Sequence, residues 1–480
     1  MDHIKAGATS THAPVVALIV IFFVLMLPNL DNSYPYQGDE TFYTVSALNM
    51  IDSGEYLAPS YAGEYRFNKP ILTYWVAAAA YKLFGASMWS ARVPILLLAC
   101  LTIFTTYRFA LFTLGDGRTA LLAAAMLASS PMFFSFSRIA MTEMVLTALT
   151  VPAVFMFARM MEDHEHATRY AALGTALVGL AFMAKGPVGL LPYGAALIQS
   201  ALPGRPGKKS LLFALVNPLN LAILFAITVP WYAYVAGSYP GAFASDLGAE
   251  SQSLWKHSFA GMAKRLLLYA YTLAVFIFPF FIAGAVVMIR KRARWSPACS
   301  FIVTCILAHL LTFTLFVGVY KSRYLLPIIP LLSIALADAL FPSGWRRWLA
   351  TAGTVLALQA VFYALSPIVS HEPLRELTYR WRDGHAASET LGIALDPKRA
   401  GWCRLYAGNR GIAPPESADF LIIEDADLPR YAGWKMIATA TRYSSLKISH
   451  GSISVTRQAF HLIGRPEGVP GNVAAGAMDD

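Results

Sequence analysis

The chain contains 480 residues, of which 56% are hydrophobic and only 14% are charged. A soluble domain carries about 25% charged and about 45–50% apolar residues, so this composition excludes an ordinary soluble enzyme and predicts a polytopic membrane protein. The formal net charge is +10, an excess that in membrane proteins marks cytoplasmic loops and sites for lipid phosphates. The sequence has no nucleic-acid-binding motif, so no nucleic acid partner is expected. Its four cysteines lack the paired spacing of a disulfide framework or a metal site.

Apolar segments long enough to cross a bilayer recur along most of the chain. A spanning helix needs about 20 apolar residues, and on this basis we predict eleven spans, at 14–30, 92–113, 118–136, 143–160, 169–184, 188–203, 211–235, 265–289, 297–318, 325–341 and 348–368. The first span ends without a small-residue cleavage pattern, so we expect it to be retained and not removed as a signal peptide.

The loop cations predict the orientation of these spans. Three basic clusters fall on the same side if the eleven spans alternate, namely Arg205 with Lys208 and Lys209, the run 290–294, and Arg346 with Arg347. The positive-inside rule assigns that side to the cytoplasm. The loop 31–91, the loop 236–264, the turn near Lys321 and the tail after residue 369 are then all outside the cytoplasm.

The loop 31–91 is too long to be a simple connection. Residues 41–53 and 70–84 read as amphipathic or aromatic-rich helices, which we predict to lie in the headgroup layer and to floor a periplasmic cavity.

The composition changes after Pro367, where long apolar runs stop. A helix is predicted at 374–383, with strands at 419–424 and near 435–441 and 453–460. The predicted organisation is therefore an all-α membrane domain over residues 1–368, a small soluble periplasmic α/β domain over 369–465, and a disordered tail over 466–480.

The first candidate catalytic residues are Asp39 and Glu40, in the loop 31–91. A carboxylate in a site that excludes water can have its pKa raised enough to act as a general base, as glycosyl transfer to a hydroxyl or amine requires. We predict both acids as catalytic. The alternative is that Asp39 caps a helix and Glu40 is solvated.

Lys69 and Arg66 follow in the same loop. Lys69 precedes Pro70, which holds its backbone extended, and its ammonium group suits a phosphate. We predict phosphate binding by Lys69 with help from Arg66, and the alternative for Lys69 is an interfacial lysine whose head group reaches water.

Further charges lie at the predicted outer ends of the spans. Arg138 is a candidate phosphate ligand, and Glu143 and Lys185 are candidate substrate contacts. A simple Arg138–Glu143 pair, or a lysine stabilising a helix end, is the alternative at these positions.

The turn at 321–327 carries Lys321, Arg323 and Tyr324. Two cations on an outer turn run against the positive-inside trend, so we predict that all three bind an anionic ligand. Glu250 and His257 in the loop 236–264 are further substrate candidates, although His257 is more typical of an ordinary loop histidine.

These motifs together resemble the GT-C membrane glycosyltransferases, in the branch of the bacterial lipid A aminoarabinose transferases and the protein O-mannosyltransferases. The resemblance covers about residues 14–345 and rests on motifs in the family's order, namely Asp39-Glu40, Phe67-x-Lys69-Pro70 with Tyr74-Trp75, Leu83-Phe84-Gly85 with Ala91-Arg92-Val93-Pro94, Arg138 with an acid five residues on, Gly179-Leu180-Ala181 with Lys185-Gly186-Pro187-Val188-Gly189, and Arg323-Tyr324-Leu325-Leu326-Pro327 with Pro330.

The resemblance implies a polyprenyl-phosphate sugar donor and inverting transfer at the periplasmic face, with Asp39 as the base or key acid and Lys69 as a ligand of the donor phosphate. Three positions depart from the pattern. Asn68 stands where the aminoarabinose transferases tend to have Glu, Ile71 replaces a proline, and Glu143 replaces an Asp. The change at Asn68 puts in doubt any metal or sugar contact that the acid makes in the family. A divalent cation is a candidate cofactor.

The sequence thus predicts a glycosyltransferase that takes a sugar from a polyprenyl-phosphate donor to lipid A, to the lipopolysaccharide core or to a related glycan. Two alternatives stay open, a protein O-glycosyltransferase of the mannosyltransferase type and a non-enzymatic flippase or transporter of lipid-linked sugars. A transporter needs ionisable residues near mid-span, and the charges here cluster at the outer ends instead.

Overall fold

The computed structural model describes residues 12–31, 39–202, 207–254, 258–290, 297–365, 373–386, 388–395, 397–408, 411–449 and 452–466. Most of the described chain up to residue 365 is helical. The helices are α1 (Ala13–Met26), α2 (Asp39–Ser53), α3 (Leu72–Phe84), α4 (Met88–Leu114), α5 (Gly117–Ala128), α6 (Pro131–Phe136), α7 (Thr142–Glu162), α8 (Ala167–Lys185), α9 (Leu191–Ala201), α10 (Lys208–Val216), α11 (Pro218–Ser238), α12 (Pro240–Leu254), α13 (Phe259–Phe276), α14 (Phe280–Arg290), α15 (Pro297–Leu315), α16 (Ile329–Leu340) and α17 (Trp345–Ala364).

Several helix boundaries follow from local chemistry. Ser87, Asp116 and Asn217 each accept a hydrogen bond from a backbone N–H in the first turn of the helix that follows, at α4, α5 and α11. Such caps satisfy donors that a helix start otherwise leaves unpaired. Gly115 ends α4 in the left-handed conformation, which glycine adopts without steric cost.

The helical part is a polytopic membrane domain, as predicted. Among the described residues, six helical stretches are long and apolar enough to cross a membrane, at Met88–Leu114, Thr142–Glu162, Ala167–Ala201, Lys208–Ser238, Phe259–Phe276 and Ser322–Ser343. Shorter apolar helices occur at Ala13–Met26, Gly117–Ala128 and Cys299–Leu315. The count of eleven spans stays a prediction. Helix α7 lies at the centre, where it packs against α4, α8, α9 and α15.

Residues 41–53 lie in helix α2, as predicted, and the placement of that helix in the headgroup layer stays a prediction. Nine of its residues are buried, on nearly every side of the helix. It packs against α3 on one side, where the rings of Tyr43 and Tyr74 are 5.3 Å apart, and against a helix of the C-terminal domain on another. A short hairpin, β1 (Ser60–Tyr61) with β2 (Glu64–Tyr65), lies between α2 and α3 in the chain. The protein itself therefore encloses α2.

The C-terminal part is a small α/β unit. It contains α18 (Pro373–Gly384), β3 (Leu391–Ala394), α19 (Pro397–Ala407), β4 (Phe420–Glu424), β5 (Lys435–Ser449) and β6 (Ser452–Gly464). The sheet order is β3-β4-β6-β5, with β3 parallel to β4 and the other pairs antiparallel. The predicted helix and all three predicted strands are present, whereas β3 and α19 were not predicted. Residues 467–480 of the predicted tail lie outside the described residues.

Candidate active site

Asp39, Glu143, Lys185 and Arg323 form a continuous chain of ion pairs, although they come from four different elements. Arg323 donates through Nη2 to Asp39 Oδ2, and its Nε lies 3.0 Å from Glu143 Oε1. The same oxygen accepts from Lys185 Nζ at 2.7 Å. Glu143, Lys185 and Arg323 are 3% to 8% exposed, whereas the side chain of Asp39 is 32% exposed. Of the two carboxylates in these ion pairs, that of Asp39 is therefore the more open to an incoming molecule.

Lys69 and Lys321 extend the cluster. Lys69 lies close enough to Lys185 and to Lys321 for their charges to interact. Burial, and then the neighbouring charge of Arg323, lower the pKa of Lys321, while Asp39 and Glu143 act in the opposite direction. Four cations, Lys69, Lys185, Lys321 and Arg323, thus gather around Asp39 and Glu143, and such a group of cations is suited to an anion.

The turn after α8 sets the position of Lys185, the last residue of that helix. Gly186 has a φ of +73°, which an L side chain rarely adopts. The 3-10 turn Gly186–Leu190 then folds back over α8. A Cβ at Gly189 would lie 2.3 Å from the backbone nitrogen of Phe182, so only glycine fits there. The pattern Lys-Gly-Pro-Val-Gly thus ends the helix with its lysine at the cluster.

Asp246 holds the loop that carries Lys69. Its carboxylate on α12 accepts a hydrogen bond from the backbone N–H of Phe67 at 2.6 Å. The ring of Phe67 also lies 5.4 Å from that of Tyr239. These contacts fix the backbone two residues before Lys69. The sequence analysis missed Asp246 because a lone acid in a loop of unknown geometry gives no signal.

Glu40 occupies a different position from its neighbour Asp39. It is fully buried and binds Arg92 through two hydrogen bonds, of 2.8 and 2.7 Å, and it accepts a third from the backbone of Ala140 at 2.8 Å. This set of donors engages both carboxylate oxygens. The geometry favours a structural role for Glu40 over the predicted catalytic one. Arg92 was quoted only as part of a motif, and its role was missed.

Arg138 and Arg66 lie outside the ion-pair chain. Arg138 is buried, donates to the carbonyl of Pro28 at 2.8 Å and lies over the ring of Tyr363, so the alternative of a pair with Glu143 is not formed. The guanidinium of Arg66 lies 3.8 Å from the centre of the Phe42 ring. Phosphate binding by either residue stays a prediction.

Tyr324 lies beside the cluster. Lys185 Nζ is 4.9 Å from the centre of its ring, and Phe313 stacks on the ring with a centroid distance of 4.7 Å. The backbone carbonyl of Tyr324 is 2.6 Å from Nε2 of His309. These contacts fix the turn that carries Arg323.

For the two remaining candidate residues, no side-chain position is described. His257 lies outside the described residues, and for Glu250 only the backbone, within α12, is described. Within the described ranges, no group of three or more His, Cys, Asp or Glu residues could hold a metal ion. The divalent cation therefore stays a prediction, and no step below depends on it.

Comparisons with known proteins agree with this architecture. The model of the dolichyl-phosphate-mannose-protein mannosyltransferase family matches residues 68–234. An uncharacterized protein of Aquifex aeolicus is 35% identical over 180 residues, which are 37% of this chain and 36% of that protein. The undecaprenyl phosphate-alpha-4-amino-4-deoxy-L-arabinose arabinosyl transferase of Pectobacterium atrosepticum is 26% identical over 218 residues, 45% of this chain and 38% of that protein.

The corresponding transferase of Yersinia pestis is 23% identical over 328 residues, which are 67% of this chain and 58% of that protein. The chain thus spans 36% to 58% of the length of these curated relatives.

A solved structure matches nearly the whole chain. The crystal structure of ArnT from Cupriavidus metallidurans bound to undecaprenyl phosphate aligns with a TM-score of 0.68 over 95% of this chain and 98% of that one, at 17% identity. Its apo form aligns with a TM-score of 0.67. These comparisons confirm the resemblance drawn from the motifs, and the chain has the fold of the ArnT structure.

Proposed function

We propose that the chain is an inner-membrane glycosyltransferase that moves a sugar from a polyprenyl-phosphate donor to an envelope acceptor, such as lipid A, the lipopolysaccharide core or a related glycan. The observation that carries this proposal is the meeting of Asp39 with Lys69, Lys185, Lys321 and Arg323 at one end of the bundle. The bound undecaprenyl phosphate of the ArnT structure and the names of the curated transferases support the donor class.

The charge of the cluster suits the departing group better than the donor. A sugar linked through a polyprenyl phosphate carries one negative charge, and the polyprenyl phosphate that leaves carries up to two. The cluster gathers four cations. It therefore stabilises the more negative leaving group more than the bound donor, which is the differential binding that lowers a barrier.

A small cavity lies about one turn beyond the charged residues, with Leu146 after Glu143, Val188 after Lys185 and Pro327 after Arg323. Thr150 and His309 also line it, so its wall is mixed. The support for a lipid phosphate over a water-soluble nucleotide sugar therefore comes from the undecaprenyl phosphate bound in the ArnT structure and from the curated transferases.

The mechanism follows from these positions. The acceptor hydroxyl or amine gives its proton to the Asp39 carboxylate, and its oxygen or nitrogen attacks the anomeric carbon. The bond from that carbon to the phosphate oxygen breaks, and the electron pair leaves with the polyprenyl phosphate. Lys69, Lys321 and Arg323 neutralise that charge, and Glu143 positions Lys185 and Arg323. Attack from the side opposite the phosphate inverts the anomeric centre.

We further propose that this end of the bundle and the C-terminal domain face the periplasm. The three basic clusters at the other ends of the predicted spans support this orientation through the positive-inside rule. Polyprenyl-linked sugars and envelope acceptors would then meet on the same side of the membrane.

The test is transfer by purified protein in proteoliposomes. Donors are undecaprenyl-phosphate-linked 4-amino-4-deoxy-L-arabinose, a hexose and a uronic acid, each labelled in the sugar, with lipid A or core oligosaccharide as acceptor. We expect a new glycosidic product with one of these donors. Asp39→Asn should lower its rate by at least about 10²-fold, because the amide cannot take the proton. The unfolding temperature should change little, because Asp39 is partly exposed and Arg323 keeps Glu143 as a counter-charge.

Glu165→Gln is the matched control for this test. Glu165 is an exposed acid in the loop at the opposite end of α7, so the same change from acid to amide should leave the rate near that of the parent. Parent-like turnover by Asp39→Asn would overturn the assignment of the base. Translocation of donor without a glycosidic product would establish the transporter alternative, and transfer only to a polypeptide supplied in parallel would establish the protein O-glycosyltransferase.

A further inference from the structure

We infer that helix α19 of the C-terminal domain positions Asp39, chiefly through a hydrogen bond from Trp402 to Thr41. The inference rests on the proposed function and extends it, because it gives the C-terminal domain a part in the transfer reaction. It begins from the contacts between α19 and α2.

Three residues within about one turn of α19 contact α2, namely Gly401, Trp402 and Arg404. Trp402 donates through Nε1 to the hydroxyl of Thr41. A Cβ at Gly401 would lie 2.5 Å from Val45 Cγ2, so the two helices approach closely there. Arg404 forms an ion pair with Asp52 near the end of α2. The contact therefore runs along most of the length of α2.

The contacts lie on one face of α2, and Asp39 lies on the other. At 3.6 residues per turn, positions 41, 45 and 52 fall within about 40° of one another, whereas position 39 is about 160° from position 41. Asp39 meets Arg323 on its side of the helix. Helix α19 thus supports the back of the helix whose front carries the proposed base.

The hydrogen bond between Trp402 and Thr41 is buried, so it restrains the position of α2. Trp402 is 3% exposed and Thr41 is fully buried. A buried indole N–H requires an acceptor, and breaking this hydrogen bond costs free energy because no water replaces the lost partner. A sideways shift of α2 that breaks this bond is therefore unfavourable.

The other supports of α2 come from the membrane domain. Glu40 is held by Arg92 and the backbone of Ala140, and the hydroxyl of Tyr81 donates to the carbonyl of Thr44 at 3.2 Å. Helix α19 closes the remaining side. A displacement of about 1 Å at a reacting group can cost about 10² in rate, so loosening α19 should reduce turnover without affecting donor binding at the cations.

The experiment uses the full-length protein in detergent or proteoliposomes with the three labelled donors named above. Trp402→Phe keeps the apolar ring and removes the N–H donor. Thr41→Val keeps the shape and removes the hydroxyl, and Thr41→Ser retains the hydroxyl. Trp434→Phe is the matched control, because Trp434 lies in the same domain and packs against Tyr431 within it. The rate is measured per folded molecule, together with hydrogen–deuterium exchange of peptides from α2.

Trp402→Phe and Thr41→Val should each lower kcat about tenfold at unchanged donor KM, and the double variant should be no slower than the slower single variant. Thr41→Ser and Trp434→Phe should match the parent. Amides of α2 should exchange faster in the two slow variants only. Unchanged exchange in α2 overturns the inference, and so does an equal kcat loss in Trp434→Phe.

Failure of the proposed function gives a different result. If the parent transfers none of the three sugars, the proposed function fails, and exchange in α2 alone decides whether α19 fixes that helix. If Trp402→Phe does not fold, Thr41→Val against Thr41→Ser makes the same comparison within α2.

Discussion

Asp39 and Glu40 are adjacent acids with opposite surroundings. The side chain of Asp39 is 32% exposed and meets Arg323 at the cluster, whereas Glu40 is fully buried against Arg92. Successive residues of a helix point about 100° apart, so each acid faces a different neighbour. One position is suited to exchange protons with a substrate, and the other holds the start of α2 to α4.

We expect Glu40→Gln to lower the stability of the folded protein and not to act directly on the transfer reaction. The change leaves the fully buried guanidinium of Arg92 without its counter-charge, and breaking a buried ion pair in this way costs about 3–5 kcal/mol. The measurement is the thermal unfolding midpoint in detergent, with Asp39→Asn as the neighbouring comparison. Asp39→Asn should lower the midpoint less, because Asp39 is partly exposed and Arg323 keeps Glu143 as a counter-charge. Parent-like stability of Glu40→Gln together with lost turnover would instead support the catalytic role first predicted for Glu40.

Residue types could be predicted at this scale, but their partners could not. Arg138 and Glu143 are five residues apart, and the sequence offers them as a pair. In the structure Arg138 reaches the carbonyl of Pro28, and Glu143 reaches Lys185 and Arg323. The stretch between them turns before α7 begins at Thr142, and this turn directs the two side chains to different neighbours.

At the scale of elements, the turn after α8 links backbone geometry to the site. The turn Gly186–Leu190 must cross closely over α8 to return the chain into α9, and it leaves Lys185 beside Glu143. The position of this cation thus depends on a residue four positions further along the chain that makes no charged contact.

Gly189→Ala should therefore destabilise the protein and weaken binding of undecaprenyl phosphate. The added methyl group meets backbone atoms of Ala181 and Phe182 at 2.3 to 2.7 Å, and overpacking of this kind costs about 1–3 kcal/mol. Gly194→Ala is the control, since nothing lies within 4 Å of a Cβ there and alanine favours a helix. Unfolding midpoints and equilibrium binding of undecaprenyl phosphate check both variants. Equal behaviour of the two would contradict the close crossing.

The sequence predicted elements unevenly for a physical reason. Long apolar helices are evident because lipid requires about 20 apolar residues in a row, and the polytopic fold is confirmed. Helix α2 was predicted correctly as a helix, and its place in the headgroup layer stays a prediction. Its burial was not predicted, because it comes from contacts with α3 and α19 that the pattern of residues 41–53 does not show. Helix α19 has no amphipathic pattern, with a mixture of basic, aromatic and small residues at Pro397–Ala407, so neither it nor its contact was predictable.

At the scale of the molecule, the C-terminal domain binds the membrane domain at two separate places. Helix α19 contacts α2, and α18 contacts the end of the first apolar segment at Asp31. Arg375 donates to Asp31 at 3.0 Å and the hydroxyl of Tyr379 donates to it at 2.8 Å. These partners are more than 340 residues apart in sequence, a separation that no local pattern can predict. The two contacts together hold the domain against the end of the bundle that carries the cluster.

The contact at Asp31 should make docking depend on pH. Burial alone raises the pKa of Asp31, but the Tyr379 hydrogen bond and the charge of Arg375 outweigh it and hold the pKa below its usual value. A carboxylate with a lowered pKa in the folded state stabilises that state above its unfolded pKa of about 3.9. This stabilisation is lost as the pH falls through the lower, folded value.

Asp31→Asn should thus reduce stability at neutral pH by about 2 kcal/mol, the contribution of a hydrogen bond to a charged group, and the difference from the parent should shrink below about pH 4 as Asp31 of the parent takes up a proton. Unfolding midpoints in detergent from neutral to acid pH measure this difference, and limited proteolysis between α17 and α18 reports undocking. Asp427→Asn is the control, because its partner Arg430 is exposed and a pair open to solvent contributes little at any pH. A gap of constant size down to about pH 3 would mean that the charge of Asp31 is not what holds α18, and the domain would then be docked through α19 alone.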